Sequence, residues 1–200
     1  MKSRLVVLAS GNGSNAQAII DACAGAILNA TVVVVISDVS EAFALTRARQ
    51  NQIEALCVQR AKGESRTEYD RRLCTNVISF RPDVVVLVGW MRILSAHFLD
   101  NVQVPVVNLH PALPGELPGI NAIQRAFDER DAGRRESGVM VHLVPDEGVD
   151  SGPVIGVRKV PLLASDSFVV FEKRMHCAEH ELLIEALAEF LTQFNVGGDQ

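Results

Sequence analysis

The sequence predicts an α/β fold with a doubly wound, mostly parallel sheet and helices on both faces. Short runs rich in Val, Leu and Ile recur without polar alternation, which is typical of strands that are buried on both faces of a parallel sheet. Helical patterns lie between these runs, and alternating strands and helices indicate this fold class. The 200 residues, 48% of them hydrophobic, suit one domain with a substantial core.

Strands and helices alternate along the first half of the chain. We predict strands in the four short apolar runs, at residues 4–9, 31–37, 83–88 and 105–110. We predict helices in the amphipathic stretches between them, at residues 15–28, 42–51 and 64–80. The pattern therefore predicts buried strands with helices packed against both faces of the sheet.

The second half opens on the segment HPALPGELPG, whose prolines and glycines predict a rigid loop. Two more strands are predicted at residues 138–144 and 153–160, on either side of the acidic turn PDEGVDSG. A last helix is predicted at residues 167–194, before a frayed tail at residues 196–200. Because the sequence contains no repeat, low-complexity segment or linker, we expect a single domain over residues 1–200.

The composition excludes several classes of protein. The net charge is −5 and Lys and Arg form no cluster, so a nucleic-acid partner is not expected. The four cysteines are far apart, which favours free thiols in a reducing compartment and predicts a cytoplasmic protein. The apolar run near the start is shorter than the roughly 7–15 residues of a signal-peptide core, and no run approaches the ~20 residues of a membrane span.

The first loop, SGNGSN, joins a predicted strand to the start of a predicted helix. Backbone N–H groups and the positive end of the helix dipole make such a junction suitable for an anion. Gly11, Gly13 and Ala16 also satisfy a dinucleotide-binding pattern, and Asp38 follows the second strand where a ribose-binding acid would stand. A nicotinamide-dependent dehydrogenase is therefore one interpretation of this loop.

The residues between the glycines favour a different ligand. Asn12, Ser14 and Asn15 add amide and hydroxyl groups, which suit a compact phosphate monoester better than a pyrophosphate. The structural alternative is that Ser14 or Asn15 only caps the helix.

A second set of polar residues follows the fourth strand. Asn108 and His110 are two positions apart, so their side chains point to the same side of the strand end, where ligands bind in open α/β sheets. Two donors at one point suit an oxyanion. Asp150, in the acidic turn, would raise the pKa of His110 and orient its ring. Alternatively, His110 is a hydrogen-bonded core residue and Asp150 a turn former.

These motifs together resemble a known family. The runs SGNGSN, NLHP and D-x-G-x-D-S-G-P, in this order, are similar to those of the phosphoribosylglycinamide formyltransferases, the folate-dependent transformylases of purine synthesis. The resemblance extends from about residue 4 to about residue 187. It implies a Rossmann-like formyltransferase fold.

The resemblance also implies the reaction. A formyl group would pass from 10-formyltetrahydrofolate, as co-substrate, to the amine of glycinamide ribonucleotide, without a metal. Asn108 and protonated His110 would stabilise the tetrahedral intermediate, and Asp150 would hold that proton and assist its transfer. The two small molecules would be the partners of a monomer or homodimer.

Binding residues are implied by the same likeness. The 5′-phosphate would lie on Gly13, Ser14 and Asn15, and Glu179 would contact the ribonucleotide. The folate would contact Met91, Arg92, Ile93, Leu94 and Asn108, with Arg66 near its glutamate tail. Judged without the resemblance, Met91, Ile93 and Leu94 fit an ordinary core and Arg66 an exposed helix start.

The family pattern also divides the domain. Residues 1–110 would form the phosphate-binding half, and residues 111–195 the half with the folate loop and the last helix. The sequence departs from the pattern at Asn121, where the family usually has a histidine. An asparagine donates a hydrogen bond but does not titrate near neutral pH.

Other functions remain as alternatives. His176, Glu179 and His180 spell H-x-x-E-H, an inverted zinc-peptidase motif. A formyltetrahydrofolate hydrolase would use the same catalytic residues but would not need a phosphate loop. A non-catalytic phosphate-binding domain would leave Asn108, His110 and Asp150 unexplained.

Overall fold

The computed structural model describes residues 1–197, which contain seven strands and six helices. The strands are β1 Ser3–Leu8, β2 Ala30–Ser37, β3 Glu54–Cys57, β4 Val84–Val88, β5 Val106–His110, β6 Glu136–Leu143 and β7 Val154–Pro161. The helices are α1 Ser14–Ala24, α2 Phe43–Gln50, α3 Arg66–Ser79, α4 Ala96–Val102, α5 Ala122–Asp128 and α6 Phe168–Gly197. No helix among the described residues is both long and apolar enough to cross a membrane.

The strands form one sheet in the order β3-β2-β1-β4-β5-β6-β7. The first five are parallel, whereas β6 pairs antiparallel with β5 and β7 antiparallel with β6. The mostly parallel sheet predicted from the sequence is thus confirmed. The chain winds outward from β1 to β3 and then returns to continue from β4, so the winding direction changes between β1 and β4. Ligands of open α/β sheets bind at this position, outside the carboxyl ends of the strands.

Both faces of the sheet are buried. Along β1, Leu5 and Val7 face one apolar cluster and Val6 and Leu8 face the other, and none of these side chains is exposed. This follows from the alternation of side chains along a strand. The first cluster contains apolar residues of α1, α2, α5 and α6, and the second those of α3 and α4. The continuous apolar runs in the sequence therefore reflect a sheet covered on both sides.

The predicted elements are present with small shifts at their ends, and three others were missed. Strand β3 has exposed residues at both ends and lacks an apolar run, and α4 and α5 have only seven residues each, too few to show a helical period. Helix α1 ends at Ala24, because Gly25 follows as its C-cap. Helix α6 continues to Gly197, so the tail predicted at 196–200 begins too early, and residues 198–200 lie outside the described part.

Candidate active site

An open cavity of about 780 Å³ lies at the carboxyl ends of the central strands. Its walls come from the loops after β1, β4 and β5, from the turn between β6 and β7, and from α6. The lining includes all but one of the residues predicted to act in catalysis or binding, namely Gly13, Ser14, Asn15, Met91, Arg92, Ile93, Leu94, Asn108, His110, Asp150 and Glu179. Arg66 lies outside the lining.

The first loop ends in a helix start without a side-chain cap. Gly13 is the N-cap of α1 in a left-handed conformation, with φ of 74°, and no side chain accepts a hydrogen bond there. The alternative in which Ser14 or Asn15 caps the helix is therefore wrong. A Cβ on Gly13 would lie 2.6 Å from the Cβ of Ala44, so only glycine fits here. The N–H groups of the first turn thus have no side-chain cap, and Gly13, Ser14 and Asn15 line the cavity, which suits an anion.

Arg47 of α2 forms hydrogen bonds to this loop. Its guanidinium donates to the carbonyl oxygen of Asn12 at 2.9 Å and to the Oδ1 atom of Asn12 at 3.0 Å. The Ala44 N–H donates to the Gly11 carbonyl at 3.1 Å. Sequence reasoning missed Arg47, because it lies on a separate helix. It adds a positive charge to a loop whose own residues carry none.

The loop after β4 lies beside the first loop. The Ser10 Oγ atom accepts a hydrogen bond from the Met91 N–H at 3.0 Å, which joins the two loops. Met91 and Ile93 are 61% and 50% exposed, whereas Leu94 is 3% exposed. The core interpretation is therefore wrong for Met91 and Ile93 and holds for Leu94, which also lines the cavity.

Asp38 is not available to a ribose. Its Oδ2 atom accepts a hydrogen bond from the Nε of Arg92 at 2.7 Å, and the carboxylate is buried. The Arg92 guanidinium also lies over the ring of Tyr69, 5.1 Å from its centroid. This ion pair removes the acid that the dinucleotide interpretation required, and that interpretation is wrong. Arg92 lines the cavity as predicted, but its guanidinium is engaged with Asp38.

Asn108 and Asp150 are in direct contact. The Nδ2 group of Asn108 donates to the Oδ1 atom of Asp150 at 3.1 Å and contacts the Nε2 atom of His142 at 3.0 Å. The Nδ1 atom of His142 lies 2.8 Å from the Leu143 carbonyl, which can only accept. The Nδ1 atom of His142 therefore carries a proton, which it donates to that carbonyl. The Nδ2 group of Asn108 thus contacts both Asp150 and His142.

His142 was not predicted from the sequence. It lies on β6 directly opposite Asn108 on β5. The available signal was a single polar residue in the apolar run VMVHLV at residues 139–144.

The carboxylate of Asp150 makes several polar contacts. Its Oδ2 atom accepts from the Gly119 N–H at 2.8 Å and lies 3.3 Å from the Nδ1 atom of His110. Burial acts to raise the pKa of Asp150, but His142, the Gly119 N–H and His110 outweigh it and leave the pKa below its ordinary value. Asp150 is therefore ionised at neutral pH. Asp150 itself is left-handed, with φ of 51°, which is consistent with its place in a turn.

The pKa of His110 departs from the prediction. The ring is buried, with Nε2 donating to the Leu117 carbonyl at 3.0 Å. Burial lowers the pKa of His110 below its ordinary value, and the Asp150 carboxylate and the Leu117 carbonyl reverse only part of this effect. Asp150 acts to raise the pKa of His110 as predicted, but the loss of hydration outweighs its charge. The expectation that Asp150 holds His110 protonated is therefore wrong for the free protein.

Helix α6 closes the far side of the cavity. Glu179 is buried, and its Oε2 atom lies 2.5 Å from the Nδ1 atom of His176. This carboxylate raises the pKa of His176. Within residues 1–197, no group of three or more His, Cys, Asp or Glu side chains is arranged to hold a metal ion. The H-x-x-E-H run thus forms a histidine–carboxylate pair at the cavity wall.

Asn121 lies at the start of α5. It is the left-handed N-cap of α5, with φ of 58°, and makes no side-chain capping bond. It lines the cavity beside Gly119 and Ile120. Asparagine tolerates this conformation better than most residues do.

The chain is similar to known proteins over nearly its whole length. The Formyl transferase family matches residues 3–187. Phosphoribosylglycinamide formyltransferase of Schizosaccharomyces pombe is 40% identical over 205 residues, covering 96% of this chain and 99% of its own length. That of Escherichia coli strain K12 is 43% identical over 178 residues, covering 89% and 82%. Glycinamide ribonucleotide transformylase 1 from Geobacillus kaustophilus has a TM-score of 0.88 at 34% identity, with 96% of this chain and 100% of that chain covered.

Proposed function

The chain belongs to the formyl transferase family, and on that premise we propose that it is a phosphoribosylglycinamide formyltransferase of de novo purine synthesis. It transfers the formyl group of 10-formyltetrahydrofolate to the amine of 5′-phosphoribosylglycinamide. The products are N-formylglycinamide ribonucleotide and tetrahydrofolate. One observation carries the proposal: an uncapped helix start and the Asn108–Asp150–His110 cluster line the same cavity.

The ribonucleotide lies along the α1 and α6 side of the cavity. Its 5′-phosphate binds the backbone N–H groups of Gly13, Ser14 and Asn15, because a doubly charged group is favoured at the helix start. The buried carboxylate of Glu179 accepts hydrogen bonds from the ribose hydroxyls, and His176 fixes its orientation. The amine then faces the catalytic cluster.

The folate lies against the loop after β4. Met91, Ile93 and Leu94 provide apolar surface for the flat pterin, and their backbone groups provide donors and acceptors. Arg92 shapes the wall through its ion pair with Asp38. Arg66, outside the cavity lining, binds the glutamate tail where the tail leaves the cavity.

The chemistry requires no nucleophilic side chain. The amine attacks the formyl carbon, and the carbonyl oxygen becomes an oxyanion. Asn108 donates to that oxygen after giving up its bond to Asp150 or His142. The negative charge favours protonation of His110 on Nδ1. Because Nδ1 faces Asp150, the proton passes from the attacking nitrogen to His110 through Asp150 or water, and it returns by the same route to N10 of the folate. The bond from the formyl carbon to N10 then breaks and the carbonyl re-forms.

The division of the chain into halves is part of the proposal. Residues 1–110 supply the phosphate loop, and residues 111–195 supply Asp150 and Glu179. The single cavity lined from both halves supports one catalytic domain. The widely spaced cysteines and the small-molecule substrates support a cytoplasmic location.

A transfer assay tests the proposal. The protein is mixed with 10-formyltetrahydrofolate or a stable formyl analogue, and release of the deformylated folate is followed with and without glycinamide ribonucleotide. We expect release only when the ribonucleotide is present. Equal release in its absence would identify a hydrolase. Stabilisation of the protein by NAD(H) and not by a reduced folate would indicate a dehydrogenase.

Variants then test the assigned roles. His110→Ala and Asp150→Asn are each expected to lose about 10²–10⁴ in turnover. Near-normal turnover in either variant would contradict its role. Thermal unfolding of each variant checks that the loss does not come from misfolding.

A further inference from the structure

The cation expected to receive the folate tail already holds a carboxylate. Arg66 is the first residue of α3, and its NH2 group donates to the Oε1 atom of Glu147 at 2.6 Å. The same oxygen of Glu147 accepts the Ala96 N–H at 3.1 Å. Glu147 belongs to the acidic turn that carries Asp150. A carboxylate of the chain therefore lies where the carboxylate of a ligand would bind.

The guanidinium of Arg66 is fixed independently of Glu147. Its Nε donates to the Ile93 carbonyl at 3.1 Å, and its NH2 group also donates to the Leu94 carbonyl at 2.8 Å. Both carbonyls belong to the loop that lines the cavity. If Glu147 leaves, Arg66 therefore stays at the cavity rim with its charge unpaired.

The bond between Arg66 and Glu147 is suited to exchange. The two side chains are 43% and 47% exposed, so water screens the attraction and the pair contributes little net stability. The neighbours of Glu147, Asp146 and Gly148, both line the cavity. A ligand leaving the cavity at this point would thus reach Arg66 without crossing the protein interior.

We propose that Glu147 is a specificity-determining residue that competes with the glutamate tail of the folate for Arg66. In the free protein its carboxylate neutralises Arg66. When the co-substrate binds, a tail carboxylate replaces it on the guanidinium. Glu147 thereby weakens the binding of folates with a charged tail and does not affect folates without one. This inference rests on the proposed function, because it takes a folate as the ligand.

The test compares two folates on the whole protein. Dissociation constants are measured for a non-reactive deazafolate analogue with its glutamate and for the same analogue without it. For Glu147→Gln we expect binding of the tail-bearing analogue to tighten about 2- to 5-fold and binding of the tailless analogue to stay unchanged. In an Arg66→Gln background the same change should have no effect.

Glu136→Gln is the matched control. It removes the charge of a comparable exposed bridge, from Glu136 to Lys159 at 2.8 Å on β6 and β7. We expect it to change neither constant.

Three outcomes would overturn the proposal. The first is that Glu147→Gln leaves both dissociation constants unchanged. The second is that it changes both constants equally. The third is that it weakens the binding of both analogues and lowers turnover, which would show that Glu147 only stabilises the turn. Failure of the unchanged protein to bind either analogue would overturn the proposed function as well, whereas binding of both without the expected selectivity would overturn this inference alone.

Discussion

The Nδ1 atom of His110 lies 3.3 Å from the Oδ2 atom of Asp150, while the other ring nitrogen donates to the Leu117 carbonyl. Both nitrogens therefore face oxygen atoms, an arrangement that suits the doubly protonated ring. Burial opposes that charge and lowers the pKa of His110. An added negative charge in the cavity favours the cation. An oxyanion formed during formyl transfer is such a charge.

The titration of His110 is the first prediction. In the free protein, NMR should place its midpoint below 6.5, the ordinary value for histidine. Asp150→Asn should move the midpoint lower still, because the carboxylate acts to raise this pKa. A His110→Gln spectrum identifies the resonance. A midpoint above 6.5 in the unchanged protein would contradict the dominance of burial.

The lowered pKa of His110 also makes the stability of the protein depend on pH. The unfolded chain takes up a proton on His110 near pH 6.5, before the folded protein does. The contribution of neutral His110 to the free energy of unfolding is therefore complete above this pH and is lost as the pH falls towards the lowered pKa. We expect the free energy of unfolding, measured by urea denaturation, to fall less between pH 7.5 and pH 5 in His110→Gln than in the unchanged protein.

Asn108→Ala is predicted to lower turnover with little effect on substrate binding. The amide stabilises charge that exists only in the transition state, so we expect kcat to fall about 10²–10³-fold and KM to stay within a few-fold. The control is Asn101→Ala, whose amide donates to the His97 carbonyl within α4 at 2.7 Å. A rise in KM at unchanged kcat would show that Asn108 only binds substrate.

The positions of the site residues could be predicted because strand ends converge. Asn108 and the first loop each follow a buried apolar run, and parallel strands bring such ends to one edge of the sheet. The contacts of these residues could not be predicted. Arg47 and Asn12 are 35 positions apart, and His142 and Asn108 are 34 apart. Only the packing of α2 and the pairing of β6 with β5 bring them together.

The charge state of His110 shows a second limit. The sequence suggested that a carboxylate would lie beside the ring, and the structure places Asp150 there. The depth of burial depends on the Leu117 segment, which covers the ring from a loop of irregular backbone with a left-handed Leu117. No local sequence pattern around His110 indicates that such a loop will exclude water from its ring.

Gly13→Ala is predicted to disrupt the phosphate loop. The new Cβ would meet Ala44 in a backbone conformation that alanine disfavours, so we expect the free energy of unfolding to fall by about 2–5 kcal/mol. KM for the ribonucleotide should rise as well. Gly63→Ala is the control, because Gly63 has φ of 81° with no atom within 4 Å of the added Cβ. It should cost only about 1–2 kcal/mol and leave KM unchanged. If the two variants lost equal free energy of unfolding, the contact with Ala44 would not be the cause of the loss in Gly13→Ala.

Arg47→Gln is predicted to weaken binding of the ribonucleotide while leaving turnover intact. The guanidinium makes two bonds to Asn12 and places its charge behind the helix start. Glutamine keeps part of the bulk but loses the charge and the fork of donors. We expect KM for the ribonucleotide to rise about 5-fold, the effect of roughly 1 kcal/mol for one partly exposed hydrogen bond, with kcat unchanged.

Measurements at high salt and an Arg49→Gln control distinguish an effect of the Arg47 charge from an effect of Arg47 on the loop structure. At 1 M salt the screening length falls to about 3 Å, so the difference between the Arg47→Gln variant and the unchanged protein should shrink. Arg49→Gln, two residues along the same helix and exposed, should leave KM unchanged at either salt concentration. If Arg47→Gln lowered kcat and KM together, or if its effect persisted in full at 1 M salt, Arg47 would act by shaping the loop and not by charge.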